Sequence, residues 1–525
     1  MSTERAYSRP SAAIDALGDQ VLDRHRFENK RVLLTGDAEV LLSPNGQLCA
    51  TAAMLMLVRV SRLGIVQFPV GAEALTETCR ARLSEIGCGG WEVLDCDSSV
   101  DSREFDATLS VGWRGASPTS GPTRTVINSH GWLARVSTGP EDLPFDCSQE
   151  NPIAALAAAC LGITEVFKAL LALKPTRGQA LRSTVFNLVD YTTGETDPGP
   201  ALPARLQIAA ALCGAGAIGN GVAFLLSVLP VAGSLWIIDR QVFEEENLGT
   251  CLMLRRADIG RPKAEVLSEA VGVSADGLQV FPVHGEVRDL DRRIDAGEGP
   301  RPCVVLGALD NVDARHDAQD LWPDLVVDGA IGDFPCQVSV HPADGNVACV
   351  QCLFRRPTGG SAVLRATRAT GLTEARVLDP DSVVTEADVP AADGTRQSWL
   401  RARLGRTVCS VVQEAVAQDL ARAGFNPGFE PSVPFVACMS ASLVVAELVK
   451  HAMGIASPLA PRFQMDMLRG PVHAEMLPQE RRVECACVLR KGNIDRLRQS
   501  RTTDSTLVEQ HGLAGLPCEG THDPE

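Results

Sequence analysis

The sequence predicts an α/β protein of two tandem doubly wound domains, the second interrupted by a mainly helical insertion. Three observations carry this expectation. The uncharged run 206–238 is broken by Gly214-Ala-Gly216-Ala-Ile-Gly219 and ends at Asp239, as a buried strand, tight turn, packed helix and second buried strand would be. Residues 1–200 echo the organisation of the second half. Between Cys352 and Pro434 the chain is longer than a bare loop in a compact domain, and 398–404 and 408–420 have helical spacing.

In chain order, Arg31-Val-Leu-Leu-Thr-Gly36 opens the first copy as Leu206-Gln-Ile-Ala opens the second. Phe105-Asp-Ala-Thr-Leu-Ser-Val-Gly112 stands where Cys303-Val-Val-Leu-Gly307 stands, and Val126-Ile-Asn-Ser-His-Gly-Trp-Leu-Ala-Arg-Val-Ser137 parallels Val326-Val-Asp-Gly-Ala-Ile-Gly332 and the strand after it. Both copies close on similar helices, one from Asn151-Pro through Glu165-Val-Phe-Lys168, the other from Pro434-Phe through Glu447-Leu-Val-Lys450. The alternative is two unrelated domains that share generic strand and helix patterns. The expected boundaries are 1–200 for the first domain, 201–354 with 430–490 for the second, 355–429 for the insertion and 491–525 for a flexible polar tail.

The glycine spacing permits a tight strand-to-helix turn and close backbone approach to phosphate, while an acid ending the next strand can hold a ribose hydroxyl. Taken alone, Gly214, Gly216, Gly219 and Asp239 read as a dehydrogenase's Rossmann-like dinucleotide site. Asn247-Leu248, Asp258-Ile-Gly260-Arg-Pro-Lys263 and Ala308-Leu-Asp310-Asn311-Val-Asp-Ala-Arg315 do not belong to hydride chemistry. A lysine beyond the glycine turn and an aspartate after a later strand suit a triphosphate and Mg²⁺ during adenylyl transfer.

With these motifs in this order, residues 205–475 resemble the ThiF/MoeB superfamily and, within it, the ubiquitin-activating enzymes. The resemblance implies ThiF-type domains in which the glycine turn and Asp239 hold ATP, Asn247 and Lys263 contact ribose or phosphates, and Asp310, beside Asn311, handles magnesium. Two positions depart from the family pattern: Gln241 stands where a second acid is usual, and Thr250 where an arginine is usual. Arg255 and Arg256 are candidate substitutes for that arginine.

The first copy lacks this chemistry. Gly36-Asp-Ala-Glu-Val-Leu-Leu replaces the glycine turn, Val66-Gln67-Phe68 ends the strand that should carry an acid, and Gly112-Trp-Arg-Gly replaces the Asp-Asn motif. Ubiquitin-type activating enzymes similarly pair an inactive adenylation domain with an active one, and the inactive one lends an arginine from near its N-terminus. Arg24 and Arg26 are the candidates.

Cys349-Val-Gln-Cys352 and Cys485-Ala-Cys487 offer four thiolates for a closed structural zinc site, the first pair standing where family members carry half of such a site. The alternative is ordinary buried thiols. In this branch an insertion at 355–429 carries the thioester-forming cysteine, and Cys409 is the only cysteine between Cys352 and Cys438. It is expected in the first turn of a helix with Arg406 three residues before it, and both features lower a thiol's pKa. The competing reading turns Cys409 inward with Val412 and Ala415. Cys438 lies in an apolar run expected to be core.

The balance of 49 basic against 65 acidic residues, a formal charge of −16, argues against nucleic acid and leaves room for a protein partner with a basic tail. Residues 206–238 are long enough for a membrane span, but glycines and a proline interrupt them, so no membrane association is expected. The first ten residues contain no apolar signal core and the 17 cysteines show no secreted-disulfide spacing, so a reducing cytoplasm is the expected location.

The function expected from the resemblance is ATP-dependent adenylation of a ubiquitin-like protein's C-terminal tail, thioester formation on Cys409 and transfer to a conjugating enzyme. The alternatives are adenylation without thioester transfer, as in sulfur-carrier or peptide activation, and a non-catalytic scaffold. A pseudo-dimer within one chain removes the usual need for a second subunit to complete the ATP site and leaves the oligomeric state open, a dimer included.

Overall fold

The computed structural model describes residues 7–21, 24–87, 89–112, 123–139, 143–144, 146–274, 277–343, 347–355, 361–392, 394–423, 433–458 and 461–510. It divides into two compact units, Met1–Phe354 with Ser432–Glu525, and Arg355–Pro431.

The larger unit holds two sheets. β1 (Arg31–Gly36), β2 (Leu63–Val66), β3 (Trp91–Val93), β4 (Ala107–Val111), β5 (Thr123–His130), β6 (Leu133–Ser137) and β7 (Thr184–Asn187) lie in the order 3-2-1-4-5-6-7. β8 (Leu206–Cys213), β9 (Val231–Asp239), β10 (Leu278–His284), β11 (Val304–Gly307), β12 (Leu325–Ile331), β13 (Pro335–Pro342), β14 (Pro461–Asp466) and β15 (Glu475–Pro478) lie in the order 10-9-8-11-12-13-14-15. In each sheet five parallel strands are followed by antiparallel ones. β1, β4 and β5 therefore hold the places of β8, β11 and β12, which is the repeat the sequence predicts.

Residues 206–238 fold as β8, the helix Ala217–Val228 and β9, so their apolar composition serves a buried sheet and its covering helix. The connections β10–β11 and β11–β12 carry the helices Asp289–Asp295 and Val312–Asp320. Between β3 and β4 the first sheet has only the 3-10 turn Ser102–Glu104.

The two halves meet along the helices Pro152–Leu170 and Pro434–Ala452, each started by a proline in its first turn, where a missing N–H costs nothing. Both are long and apolar enough to cross a membrane, yet they are almost wholly buried inside the protein. Phe167 packs on Phe334 and Phe435 of the other half at 5.8 and 5.4 Å between ring centres. Each helix also carries a buried Glu-x-x-Lys ion pair, Glu165 Oε1 to Lys168 Nζ and Glu447 Oε1 to Lys450 Nζ, both at 2.5 Å. Each lysine donates across the junction, Lys168 Nζ to Leu468 O at 3.3 Å and Lys450 Nζ to Val189 O at 3.0 Å.

In the first half the place of the glycine turn is taken by a short helix, Ala38–Leu41, capped by Asp37 Oδ1 on Glu39 N. Its Val40 and Leu41 are buried at the C-terminal ends of β1 and β4. Val40 sits so close to Gly112 that a Cβ there would lie 2.5 Å from Val40 Cγ2. Trp113, Arg114 and Gly115, which follow in the motif, lie outside the described residues.

The smaller unit is mainly helical, with Ser361–Thr370, Glu374–Val377, Gly394–Arg401 and Val408–Ala423. Leu372, Val384, Val389, Ala392, Leu400, Val408 and Val411 form its own core. Arg376 clamps it by bonding both Asp388 oxygens, at 2.7 and 3.1 Å, and Val383 O.

One expectation changes at the C-terminus. Lys491–Gln510 is a helix rather than a flexible tail, because Arg498 Nη2 donates to Asp324 Oδ1 at 2.5 Å and Arg501 Nη1 to Leu321 O at 2.6 Å. Residues 511–525 lie outside the described residues.

Candidate functional site

The strand order of the second sheet reverses direction between β8 and β11, and a doubly wound sheet opens a crevice at the C-terminal ends of such strands. β8 delivers the glycine turn there and β11 delivers Asp310. Gly214 adopts φ +99°, and a Cβ on it would lie 2.4 Å from Ala308 O of the neighbouring loop. A Cβ on Gly219 would lie 2.1 Å from Gly214 O, so the helix can start this close to its own turn only with glycine. Gly216 is the N-cap of Ala217–Val228, whose first amides face the crevice without a side-chain cap.

Asp239 ends β9 and links the turn to the next segment. Its Oδ2 accepts from Ala215 N at 2.8 Å and its Oδ1 from Gln241 N at 2.8 Å. Gln241 continues the chain of bonds, since its Oε1 accepts from Lys263 Nζ at 2.9 Å and its carbonyl from Lys263 N at 2.9 Å. Lys263, the first residue of the helix Lys263–Ser274, is only 6% exposed and lies 5.8 Å above the Phe243 ring. Three segments distant in sequence are thereby fixed around one crevice.

Asn247 is buried, its Oδ1 accepting from Glu244 N at 2.9 Å, so it also caps the turn Glu245–Gly249. Asn311 caps Val312–Asp320 by accepting from Ala314 N at 2.8 Å, and its Nδ2 donates to Asp310 Oδ1 at 3.1 Å. Asp310 itself is exposed at the end of β11. One turn on, Arg315 returns to the sheet as the ion-pair partner of Asp328 on β12, Nε to Oδ2 at 3.2 Å, and stacks on Phe354 at 4.3 Å. Burial pushes the Asp328 carboxyl up to about 6 against the opposing pull of Arg315.

The candidate arginines are held in different ways. Arg255 is held by Asp258 through Nε at 2.9 Å and Nη2 at 3.1 Å, and Arg256 Nη2 donates to Gly87 O of the first half at 3.2 Å. Arg24 and Arg26 lie in the 3-10 turn Arg24–Asn29, and their side chains are outside the described residues. The arginine that the first half does bring across is Arg9, on the helix Ser8–Ala16, with Nη2 3.2 Å from Glu246 Oε1, one residue before Asn247. Sequence reasoning missed it; the available signal was a basic residue near the N-terminus, in the same region as the candidates Arg24 and Arg26. Arg59 also crosses, buried, with Nη2 donating to Leu254 O at 3.0 Å.

The four cysteines converge, all buried and with their sulfurs within 4.8 Å of one another. Cys349 Sγ lies 3.8 Å from Cys352 Sγ and 3.6 Å from Cys485 Sγ, and Cys352 Sγ lies 3.6 Å from Cys487 Sγ. A tetrahedral zinc with bonds of about 2.3 Å places its sulfurs about 3.8 Å apart, so the set fits that ion. The short helices Val350–Leu353 and Ala486–Leu489, begun at Cys349 and Cys485, aim the four side chains inward.

In the smaller unit Cys409 is half-buried at the second position of Val408–Ala423, and its amide bonds Pro380 O at 2.9 Å. Val408 and Val411 supply the core-facing positions. Arg406 Nη1 donates to Glu414 Oε2 at 2.7 Å and its Nη2 to Ser410 Oγ at 2.6 Å.

Known proteins share parts of this chain. The protein y4jF of Sinorhizobium fredii is 27% identical over 357 residues, 65% of this chain and 66% of that protein. The catalytic subunit of the NEDD8-activating enzyme E1 of Dictyostelium discoideum is 28% identical over 134 residues, 25% of this chain and 29% of that one. The chain thus spans less than two thirds of either relative. Among solved structures, E. coli MccB with ATP covers 54% of this chain and 67% of its own, at 13% identity and a TM-score of 0.34. The family model for ThiF matches residues 205–487, more than half of the sequence and the whole of the crevice with its cysteine cluster, and the chain belongs to the ThiF family.

Proposed function

We propose that the protein adenylates the C-terminal carboxylate of a ubiquitin-like protein at the expense of ATP and passes the acyl group to Cys409. The observation that carries the first step is the run of hydrogen bonds from Ala215 through Asp239 and Gln241 to Lys263. It holds a phosphate-binding turn, a ribose acid and a buried cation in one arrangement. The partner's carboxylate oxygen forms a bond to the α-phosphorus of ATP while the bond to the bridging oxygen breaks, releasing pyrophosphate and leaving an acyl-adenylate. Lys263, the glycine-turn amides and Arg9 from the first half stabilise the charge that develops. Asp310, steadied by Asn311, would hold Mg²⁺, which supplies neutralisation of the triphosphate when bound. The four cysteines would hold a structural Zn²⁺.

The second step needs a thiolate, and the first turn of Val408–Ala423 favours one at Cys409. Attack of its sulfur on the acyl carbon forms the thioester and expels AMP, and a conjugating enzyme receives the acyl group. The limited match to a NEDD8-activating enzyme subunit supports a protein substrate. A second reading, adenylation without thioester transfer, is favoured by the half-burial of Cys409.

ATP–pyrophosphate exchange with the substrate protein separates these. Asp310→Ala abolishes exchange, and Cys409→Ala leaves it intact while removing the thiol-sensitive adduct. Exchange lost in a folded Cys409→Ala protein would count against the assigned roles, and exchange with no adduct in the wild type selects the second reading.

A further inference from the structure

Lys263 is a buried cation with neutral company. Among the described residues no carboxylate stands within ion-pair distance of its Nζ; its partners are the Gln241 amide oxygen at 2.9 Å and the face of Phe243. Buried ammonium groups are ordinarily matched by an anion, because an unmatched one is costly. Its position at the start of a helix adds partial charge of the same sign. Lys263, Arg9 and Arg59 are close enough together that all three draw down the thiol of buried Cys251, against the larger effect of burial, which raises it.

The position that confers this neutrality is Gln241, where the family resemblance leads one to expect an acid. Nine residues on, buried Thr250 stands where an arginine is expected. The two departures cancel in charge. With the acid gone, Lys263 keeps its full charge for a ligand; with the arginine gone, that charge has less help.

We propose that Gln241 is a specificity-determining residue, whose neutral amide orients Lys263 without neutralising it and so sets the crevice's preference for polyphosphate over monophosphate anions. The inference rests on the adenylation reading of the crevice. A glutamate would keep the same hydrogen bond and nearly the same shape but would satisfy Lys263 internally, so a pyrophosphate group would have to compete with it.

Calorimetric titration of the full-length protein with inorganic pyrophosphate and with AMP tests this without turnover. Gln241→Glu is expected to weaken pyrophosphate binding roughly tenfold and AMP binding by no more than about twofold, and the difference from wild type is expected to shrink as salt is raised. Gln241→Ala, which removes the tether and leaves the charge, is expected to lose less pyrophosphate affinity than Gln241→Glu. Equal pyrophosphate affinity in wild type and Gln241→Glu overturns the inference while leaving the adenylation reading standing. An equal loss for pyrophosphate and AMP also overturns it, because that reports a distorted site. A wild-type protein that binds neither pyrophosphate nor AMP overturns both.

Discussion

Asp328 shows how a single buried carboxylate sets conditions on the crevice. It lies on β12 beside Gly307, the last residue of β11, and is 2% exposed. Its partner Arg315 sits in the helix that Asn311 caps, so the ion pair ties the segment carrying Asp310 to the sheet. Burial raises this carboxyl to about 6, which means that the native protein binds a proton between about pH 4 and 6 that the unfolded chain has released. The contribution of this group to stability is therefore fully present below the unfolded value and lost as pH rises through 6. Two units of displacement correspond to up to about 3 kcal/mol. In Asp328→Asn this component disappears, so urea unfolding at intervals from pH 4 to 7 should show that the wild type loses stability relative to the variant as pH rises. A constant difference between the two proteins across that range would refute the assignment.

At the scale of elements, the cysteine cluster joins the short helix Val350–Leu353, which follows β13, to Ala486–Leu489 near the C-terminus. Neither is long enough to hold itself, since isolated short helices are marginal in water. A bound zinc would supply the missing stability, because the free energy of a structural site becomes folding energy. One zinc per chain is expected by metal analysis. Its removal by a strong chelator should expose 485–489 to hydrogen exchange and lower the melting temperature, while the exchange of β8 and β11 is retained. A folded, full-length protein that never carries zinc would sink this expectation. These cysteines were legible in the sequence because ligand identity and pairing survive large separations along the chain. So was the glycine turn, whose steric demands at Gly214 and Gly219 are local. Arg9 was not legible: its place depends on the packing of the first helix against Glu245–Gly249, far away in sequence, and periodicity carries no information about that. The helix Lys491–Gln510 was hidden because its anchoring groups, Asp324 and Leu321 O, belong to a distant part of the chain.

At the scale of the whole molecule, the larger unit repeats one topology and keeps the chemistry in one copy. The first sheet retains the strand order while Val40 and Leu41 fill the place where a nucleotide turn would be. What the first copy contributes is position: Arg9 and Arg59 reach the second half only if the junction between Pro152–Leu170 and Pro434–Ala452 is fixed. Aromatic packing around Phe167 supplies much of the attraction, but apolar contact alone tolerates sliding. The two Glu-x-x-Lys pairs give the junction a register, because each lysine must meet both its own glutamate and a carbonyl of the other half. Removing one member leaves a buried charge unmatched, at a cost of about 3–5 kcal/mol, whereas replacing both with apolar residues of similar volume is often close to neutral. Lys168→Met should therefore destabilise the protein by about that amount, and Glu165→Leu with Lys168→Met should recover much of it. If the pairs set register, the double variant regains stability without regaining full adenylation activity, because Arg9 is no longer held in place. Full recovery of both stability and activity would show that packing alone aligns the halves, and the ion pairs would then have no part in positioning Arg9.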